Sequence, residues 1–268
     1  MKVAGIQFDI AWEFPSENLR RIRPLLAKAA ENGSRLAVLP EMFATGFSMN
    51  VARLMDFSAL IEKEVQSLAK EFGLFLVAGI ACPLNNNATP LAGNHARIFS
   101  PGGELLADYQ KIHPFSYGDE HLHYAGGSAL ATANVEGIRV TPVICYDLRF
   151  PELFRAAALQ TDLFLVLANW PASRRHAWRT LLTARAIENQ AYVLGVNRLG
   201  SDGSGEYCGD SLLVDPFGEI LDQAQAVETV ITGEVDPTLL RMFRERFPAL
   251  KDRRPEVYRQ LEISPPSL

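Results

Sequence analysis

Cysteine is scarce in this chain. Three are present in 268 residues, Cys82, Cys145 and Cys208, odd in number and far apart. That pattern speaks against a disulfide framework and suits a reducing, cytoplasmic setting in which a thiol stays free. Long hydrophobic runs are also missing, and none approaches the ~18 residues of a membrane span. Gln7 and Asp9 interrupt the opening apolar stretch, so neither a signal peptide nor membrane attachment is expected. No basic block occurs: the net charge is −5, and the nearest thing to a patch is Lys251-Asp-Arg-Arg. Nucleic acid is therefore excluded as the main partner. Histidines are few, and only His121 and His123 lie close together. They have no cysteine or third histidine at ligand-like spacing, so no metal and no cofactor are expected.

Repeats, low-complexity tracts and linkers are absent too, which favours one domain over residues 1–268, with a C-terminal extension from about 237. What is present is the 48% hydrophobic content of a globular protein with a full core. Strand-like and helix-like runs alternate. Strands are expected at 3–8, 35–39, 74–79, 94–100, 104–110, before Cys145, and at 163–167, 192–197, 210–214 and 230–235. Helices are expected at 16–32 with Ser16 as N-cap and Gly33 as stop, at 61–72, from Pro151, and at 174–190. Pro24 sits awkwardly inside the first helix. Asp215-Pro-Phe-Gly reads as a turn before the last strand, and the tail after Asp236 reads as an irregular extension. Strands as apolar as Leu163–Leu167 imply burial on both faces, and hence an α/β architecture of sheets covered by helices.

Chemistry concentrates in the run Val143-Ile-Cys-Tyr-Asp-Leu-Arg-Phe-Pro-Glu152. A β-branched strand ends at Cys145, and Pro151 opens a helix. A thiol at such a junction lies near backbone N–H groups and a helix dipole, which favour thiolate and can hold an oxyanion. These residues alone leave open a buried structural cysteine, the commoner fate of the residue. Two further strands deliver charge in the same way: Arg35-Leu-Ala-Val-Leu-Pro-Glu41, and Leu106-Ala-Asp-Tyr-Gln-Lys111 after a Pro-Gly-Gly turn. A base, a cation and a thiol at three strand ends can converge at one sheet edge.

Together these segments resemble the nitrilase superfamily of carbon–nitrogen hydrolases, whose signature is a Glu-Lys-Cys triad in this chain order. The local contexts, Leu-Pro-Glu41-Met-Phe, Tyr-Gln-Lys111-Ile-His and Ile-Cys145-Tyr-Asp-Leu-Arg-Phe-Pro-Glu, match as well, and the similarity runs from Lys2 to about Asp236. The resemblance implies a four-layer αββα sandwich, no metal, and a homodimer or higher homo-oligomer to which such tails often contribute. It also singles out Glu120, in Gly-Asp-Glu120-His-Leu-His-Tyr, as a second glutamate that orients Lys111 or shares in proton transfer. A solvated loop carboxylate is the alternative that the residues leave open.

On this resemblance Cys145 attacks an amide after Glu41 takes its proton. Lys111 and the backbone N–H of Tyr146 offset charge on the oxyanion, and Glu41 then serves leaving ammonia and the water that cleaves the thioester. Cys82 and Cys208 lack such surroundings and read as bystanders. The segments around Asn169-Trp170-Pro and Asn197-Arg-Leu-Gly are similar to those of bacterial omega-amidases, which act on 2-oxoglutaramate and 2-oxosuccinamate. A distal carboxylate on such a substrate needs a cationic anchor, and Arg149 is the first candidate, with Arg174 and Arg175 as alternates. Arg149 could equally pair with Glu152 or Asp147. Trp170 and Phe43 are expected to shape the pocket, and Asn169 to set its wall. Deaminated-glutathione amidase and other short-chain aliphatic amidases are the alternatives within the superfamily. Nitrile cleavage fits the segments less well. Acyl transfer to an amine is disfavoured because membrane spans and added domains are missing. A silent binding module is disfavoured by the intact triad.

Overall fold

The computed structural model describes residues 1–84, 92–203 and 205–260. In chain order the strands are β1 (Lys2–Gln7), β2 (Leu36–Val38), β3 (Phe75–Pro83), β4 (Ala92–Phe99), β5 (Leu105–Gln110), β6 (Tyr124–Ala125), β7 (Ala133–Val135), β8 (Ile138–Ile144), β9 (Leu163–Ala168), β10 (Tyr192–Asn197), β11 (Leu199–Ser201), β12 (Glu206–Cys208), β13 (Leu212–Val214), β14 (Ile220–Gln223) and β15 (Thr229–Glu234). The helices are α1 (Pro15–Glu31), α2 (Val51–Phe72), α3 (Pro151–Ala157), α4 (Arg175–Asn189), α5 (Pro237–Arg246) and α6 (Pro255–Tyr258). One sheet has the order β15-β1-β2-β3-β4-β5, with β6 against β4; the other runs β14-β13-β10-β9-β8-β7. β11 and β12 form a separate hairpin.

The period-two alternation of the strands decides how these parts stack. Along β1 and β2, Ala4, Ile6 and Ala37 point to one side, where Ile22 and Leu26 of α1 and Val65 and Leu68 of α2 cover them. Val3, Leu36 and Val38 point to the other side and meet the second sheet, including Val140, Leu163 and Val193. Phe154 of α3 and Trp178 and Leu182 of α4 close the far face of that sheet. The layers are thus helix, sheet, sheet, helix, the αββα sandwich that the resemblance implies. β9, the most apolar strand, is buried along its whole length between parallel β8 and β10.

Several local expectations are corrected. The first helix opens at Pro15 with no side-chain cap, so Ser16 is not its N-cap. Pro24 is tolerated because it and Arg20, whose carbonyl it leaves free, face solvent. The second helix starts at Val51 and not at Ile61, since Leu54 and Ser58 continue the buried stripe of Ile61, Val65 and Leu68. Asp215-Pro-Phe-Gly leads not to the last strand but into β14, whose half-exposed Ile-Leu-Asp-Gln gave no clear alternation. Nor is the start of the tail irregular: the Asp236 carboxylate accepts from Thr238 N and Leu239 N at 2.8 and 3.1 Å, and Pro237 opens α5. The terminal Ser-Pro-Pro-Ser-Leu lies outside the described residues. No helix among the described residues is long and apolar enough to cross a membrane.

One glycine sets how closely the chain can cross itself. The segment after β2 runs over β3 at Gly79, where an added Cβ would lie 2.6 Å from Glu41 Cα and 2.7 Å from Met42 N and Pro40 O. All three are backbone atoms and cannot swing aside. Gly79→Ala is therefore expected to lower Tm by roughly 5 °C or more, as overpacking of a dense interior does. Gly205→Ala, whose new methyl meets nothing within 4 Å, is the control. Equal melting of the two variants in calorimetry would refute the close crossing.

Candidate active site

Three polar residues are delivered to one place by strand ends. Glu41 follows β2, Lys111 follows β5 and Cys145 follows β8. Lys111 N donates to Asn94 O at 2.8 Å, which continues the β4–β5 ladder by one pair and puts Asn94 opposite Lys111. Lys111 Nζ lies 2.9 Å from Glu41 Oε1 and 2.8 Å from Glu120 Oε2. All three side chains are at most 1% exposed. Asn94 Nδ2 also donates to both carboxylates, at 2.8 Å to Glu41 and 3.0 Å to Glu120. The other Glu41 oxygen accepts from Asn169 N at 2.9 Å, and Glu120 Oε2 accepts from Phe115 N. Burial alone would strip Lys111 of its proton; Glu120 and Glu41 overcome it and raise its pKa far above the ordinary range. Lys111 is thus a fixed cation.

Cys145 begins the 3-10 turn Cys145–Arg149 with φ of +45°, a left-handed conformation unusual for a side-chain-bearing residue. The sharp turn lifts its thiol off the end of β8, and the first N–H groups of the turn, Tyr146 among them, have no acceptor within it by position. Asp147 holds the turn. Its buried carboxylate accepts from Tyr109 Oη at 2.7 Å, Ile144 N at 3.1 Å and His113 N at 3.0 Å. It thereby ties the cysteine turn to the segment that carries Lys111. Burial and the neighbouring Glu41 carboxylate push the Cys145 thiol well above its ordinary value, against the pull of Lys111. The resting site accordingly holds a neutral thiol beside a carboxylate, an arrangement suited to base-assisted attack.

The thiol opens into a cavity of about 780 Å³ lined by Glu41, Lys111, Tyr146, Arg149, Asn169 and Trp170 of the expected set. Glu120 lies behind Lys111 and is not a solvated loop carboxylate. Phe43 is not a pocket residue: it is wholly buried in the core beneath α1 and α2. Met42, with φ of +44°, turns the chain after Glu41, and the aromatic that reaches the cavity is Phe47. Asn169 does more than set the wall, since its N–H and side-chain amide hold the Glu41 carboxylate and carbonyl. Arg149 is exposed and lies 4.9 Å from the Trp170 ring, and among the described residues it forms no ion pair. Neither Glu152 nor Asp147 engages it, because Asp147 is already saturated by neutral donors. Arg174 lines the cavity, stacked over Phe115 and Tyr117, whereas Arg175 is committed to Asp210 at 2.9 Å. Cys82 is buried in β3, its thiol pushed up to about 12 by burial, and Cys208 neighbours Asp210. Neither lines the cavity.

Sequence reasoning missed Asn94 and Asp147 as parts of this site. Asn94 gave no signal, since its strand also carries His95 and Arg97, whereas Asp147 could have been suspected as a carboxylate two residues from the thiol. Phe115, Tyr117 and Tyr207 gave no signal, since they reach the cavity from separate loops and the β11–β12 hairpin.

The chain is similar over nearly its full length to characterised proteins. It is 40% identical over 258 residues to omega-amidase YafV of Escherichia coli K12, covering 94% of this chain and 96% of that one. It is 32% identical over 259 residues to 2-oxoglutaramate amidase of Bacillus subtilis 168, covering 96% and 98%. Among solved structures, XC1258 of Xanthomonas campestris, a CN-hydrolase superfamily protein with an arsenic adduct in its active site, superposes with a TM-score of 0.88 at 33% identity, covering 95% and 97% of the two chains. Residues 2–245 match the carbon-nitrogen hydrolase family model, and the chain belongs to that family.

Proposed function

We propose that this enzyme is an omega-amidase, which removes the terminal amide of a 2-oxo dicarboxylate monoamide such as 2-oxoglutaramate or 2-oxosuccinamate. The observation that carries the reading is a single cavity with the Cys145 thiol, Glu41 and Lys111 at its floor, Glu120 behind them, and in its wall Arg149, which has no ion-pair partner among the described residues. The names of its relatives point the same way. Glu41 takes the thiol proton as sulfur attacks the amide carbon, and the oxyanion forms against Lys111 and the Tyr146 N–H. Glu41 returns the proton to nitrogen, the C–N bond breaks, and ammonia leaves a thioester on Cys145. Water, deprotonated by Glu41, then displaces the thiolate, which recovers the proton and frees the 2-oxo diacid. Glu120 orients Lys111. Arg149 binds the distal carboxylate, with Trp170 beneath its guanidinium; Arg174 is the alternate. A cavity of about 780 Å³ exceeds what a five-carbon substrate needs, which keeps a longer amide, deaminated glutathione, as the second reading. Exposed Phe217, Met242 and Phe247 suit a subunit contact in a cytoplasmic homodimer or higher homo-oligomer of single-domain chains.

Purified protein is expected to release ammonia from 2-oxoglutaramate, and Cys145→Ala to abolish release. Glu41→Gln and Lys111→Ala should each lower kcat/KM by about 10²- to 10⁴-fold. Normal turnover in any of the three would sink the triad assignment; activity confined to longer amides would move the substrate to the second reading.

Replacing Arg149 by Gln should lower kcat/KM for 2-oxoglutaramate by about 10- to 100-fold, the worth of a hydrogen bond to a charged group. An uncharged amide such as butyramide should be affected far less. Equal losses on both substrates would assign Arg149 to structure.

Thiolate absorbance near 240 nm, taken as the difference from Cys145→Ala, should be absent at neutral pH. The sign is fixed by Glu41: removing its negative charge favours thiolate, so in Glu41→Gln the absorbance should rise at lower pH than in the wild type although turnover is lost. A thiolate already present at pH 7 in the wild type would overturn this account.

A further inference from the structure

Lys111 and Asn94 together close a ring around the two carboxylates. Glu41 Oε1 accepts from Lys111 Nζ at 2.9 Å and Asn94 Nδ2 at 2.8 Å; Glu120 accepts from Lys111 through Oε2 and from Asn94 through Oε1. An ammonium and an amide NH₂ can only donate, so this ring needs acceptors at every corner. The orientation of the amide is settled by the same chemistry. Turned over, its oxygen would face two carboxylate oxygens. In the orientation present, Asn94 Oδ1 is buried without a donor. Leaving that acceptor unmatched carries a penalty of about 1–3 kcal/mol, which the two bonds from Nδ2 to ionised groups offset. A polar side chain 1% exposed and half satisfied is an unusual feature in a core, and packing does not require it.

We propose that Asn94 is a positioning residue that fixes the protonation pattern of the site: its two donated hydrogen bonds hold both carboxylates ionised at rest. The inference rests on the reading of Glu41 as the base. Glu41 is held by the ring through Oε1, while its Oε2 accepts from Asn169 N at 2.9 Å and from the Asn169 side-chain amide at 3.4 Å. Glu120 is held by the ring through both oxygens. Oε1 accepts from Asn94, and Oε2 accepts from both Lys111 and Phe115 N. Loss of the Asn94 amide would therefore take one donor from each carboxylate and leave Glu120 Oε1 without a donor among the described residues. The other titratable groups that face the ring are Cys145 and Tyr124, whose phenol burial and the two carboxylates hold protonated. Among the described residues neither donates to Glu120: Tyr124 donates to Ser48 O and Cys145 to Asn169 O.

The test is the pH dependence of kcat/KM for an amide that the wild type hydrolyses, with 2-oxoglutaramate tried first. Asn94→Leu removes both donated bonds, and Asn94→Asp adds a third negative charge in the same shape. In both, the acid limb should move up by about one pH unit or more, with tenfold or greater loss at pH 6 and a smaller loss above the limb. KM should change little, because Asn94 does not line the cavity. A lower kcat with the acid limb unmoved would show that Asn94 merely packs, and would overturn the proposal. If both variants fail to fold, the infrared spectrum of the wild type decides: difference against Glu120→Gln should show no protonated carboxyl band between about 1700 and 1760 cm⁻¹ at pH 7, since Glu120 is held ionised. Such a band would reject the proposal. Glu41→Gln, run in parallel, separates the two levels, because retained turnover there would reject the base assignment itself.

Discussion

Lys111 lies between two carboxylates where water hardly reaches, and the site is arranged around the consequences. Three buried ionised groups would carry a desolvation penalty of several kcal/mol each if left to Coulomb attraction alone. The cluster persists because backbone and side-chain donors take the place of water: Asn94 on both carboxylates, Asn169 on Glu41, and Phe115 N on Glu120. Removing Lys111 would leave two negative charges facing each other in the interior. Removing one carboxylate would leave the other and the cation out of balance with their donors. A cluster of this kind weakly favours the folded state at best and strongly fixes the geometry within it.

That geometry is only as good as the elements that carry it, and each comes from a sheet position that cannot drift. β2 is parallel to β1 and β3, and β8, β9 and β10 are mutually parallel, so Glu41, Cys145, Asn169 and Asn197 all emerge at carboxyl ends of strands. Register in strands buried on both faces cannot slip without exposing an apolar set. The irregular backbone sits one residue past this scaffold, at Met42 and Cys145, both with positive φ. Strain at these residues is held by neighbours that over-determine them, Gly79 under the first and Asp147 beside the second.

This division explains what could be read from the sequence. The placement of Glu41, Lys111 and Cys145 at strand ends was legible because each follows an extended run, and sheets covered by helices followed from strands such as Leu163–Ala168, the layer count coming from the resemblance. Features that depend on pairing between distant segments were not legible. Asn94 acquires its place only through the β4–β5 register, and Asp147 only through Tyr109 and His113. Phe43 was misplaced for a related reason. Proximity in sequence to Glu41 suggested a pocket wall, but the left-handed turn at Met42 sends Phe43 into the core and leaves Phe47 to line the cavity. Short half-exposed strands such as β14 failed because their alternation is weak, and α5 because its Asp236-Pro237 opening was passed over.

The charge layout of the cavity also bears on which end of a substrate enters first. Glu41 and Lys111 form its floor with Glu120 behind them, so two carboxylates stand against one ammonium beneath the thiol. Its wall carries Arg149 and Arg174, cations that stack on aromatic rings without a carboxylate partner among the described residues. A molecule with a neutral amide at one end and a carboxylate at the other can satisfy both regions in one orientation only, with the amide inward. An amide adjacent to a carboxylate would bring like charge against Glu41, and an uncharged amide would leave the arginines unused. The field inside the cavity therefore favours distance between amide and acid in a molecule that carries both.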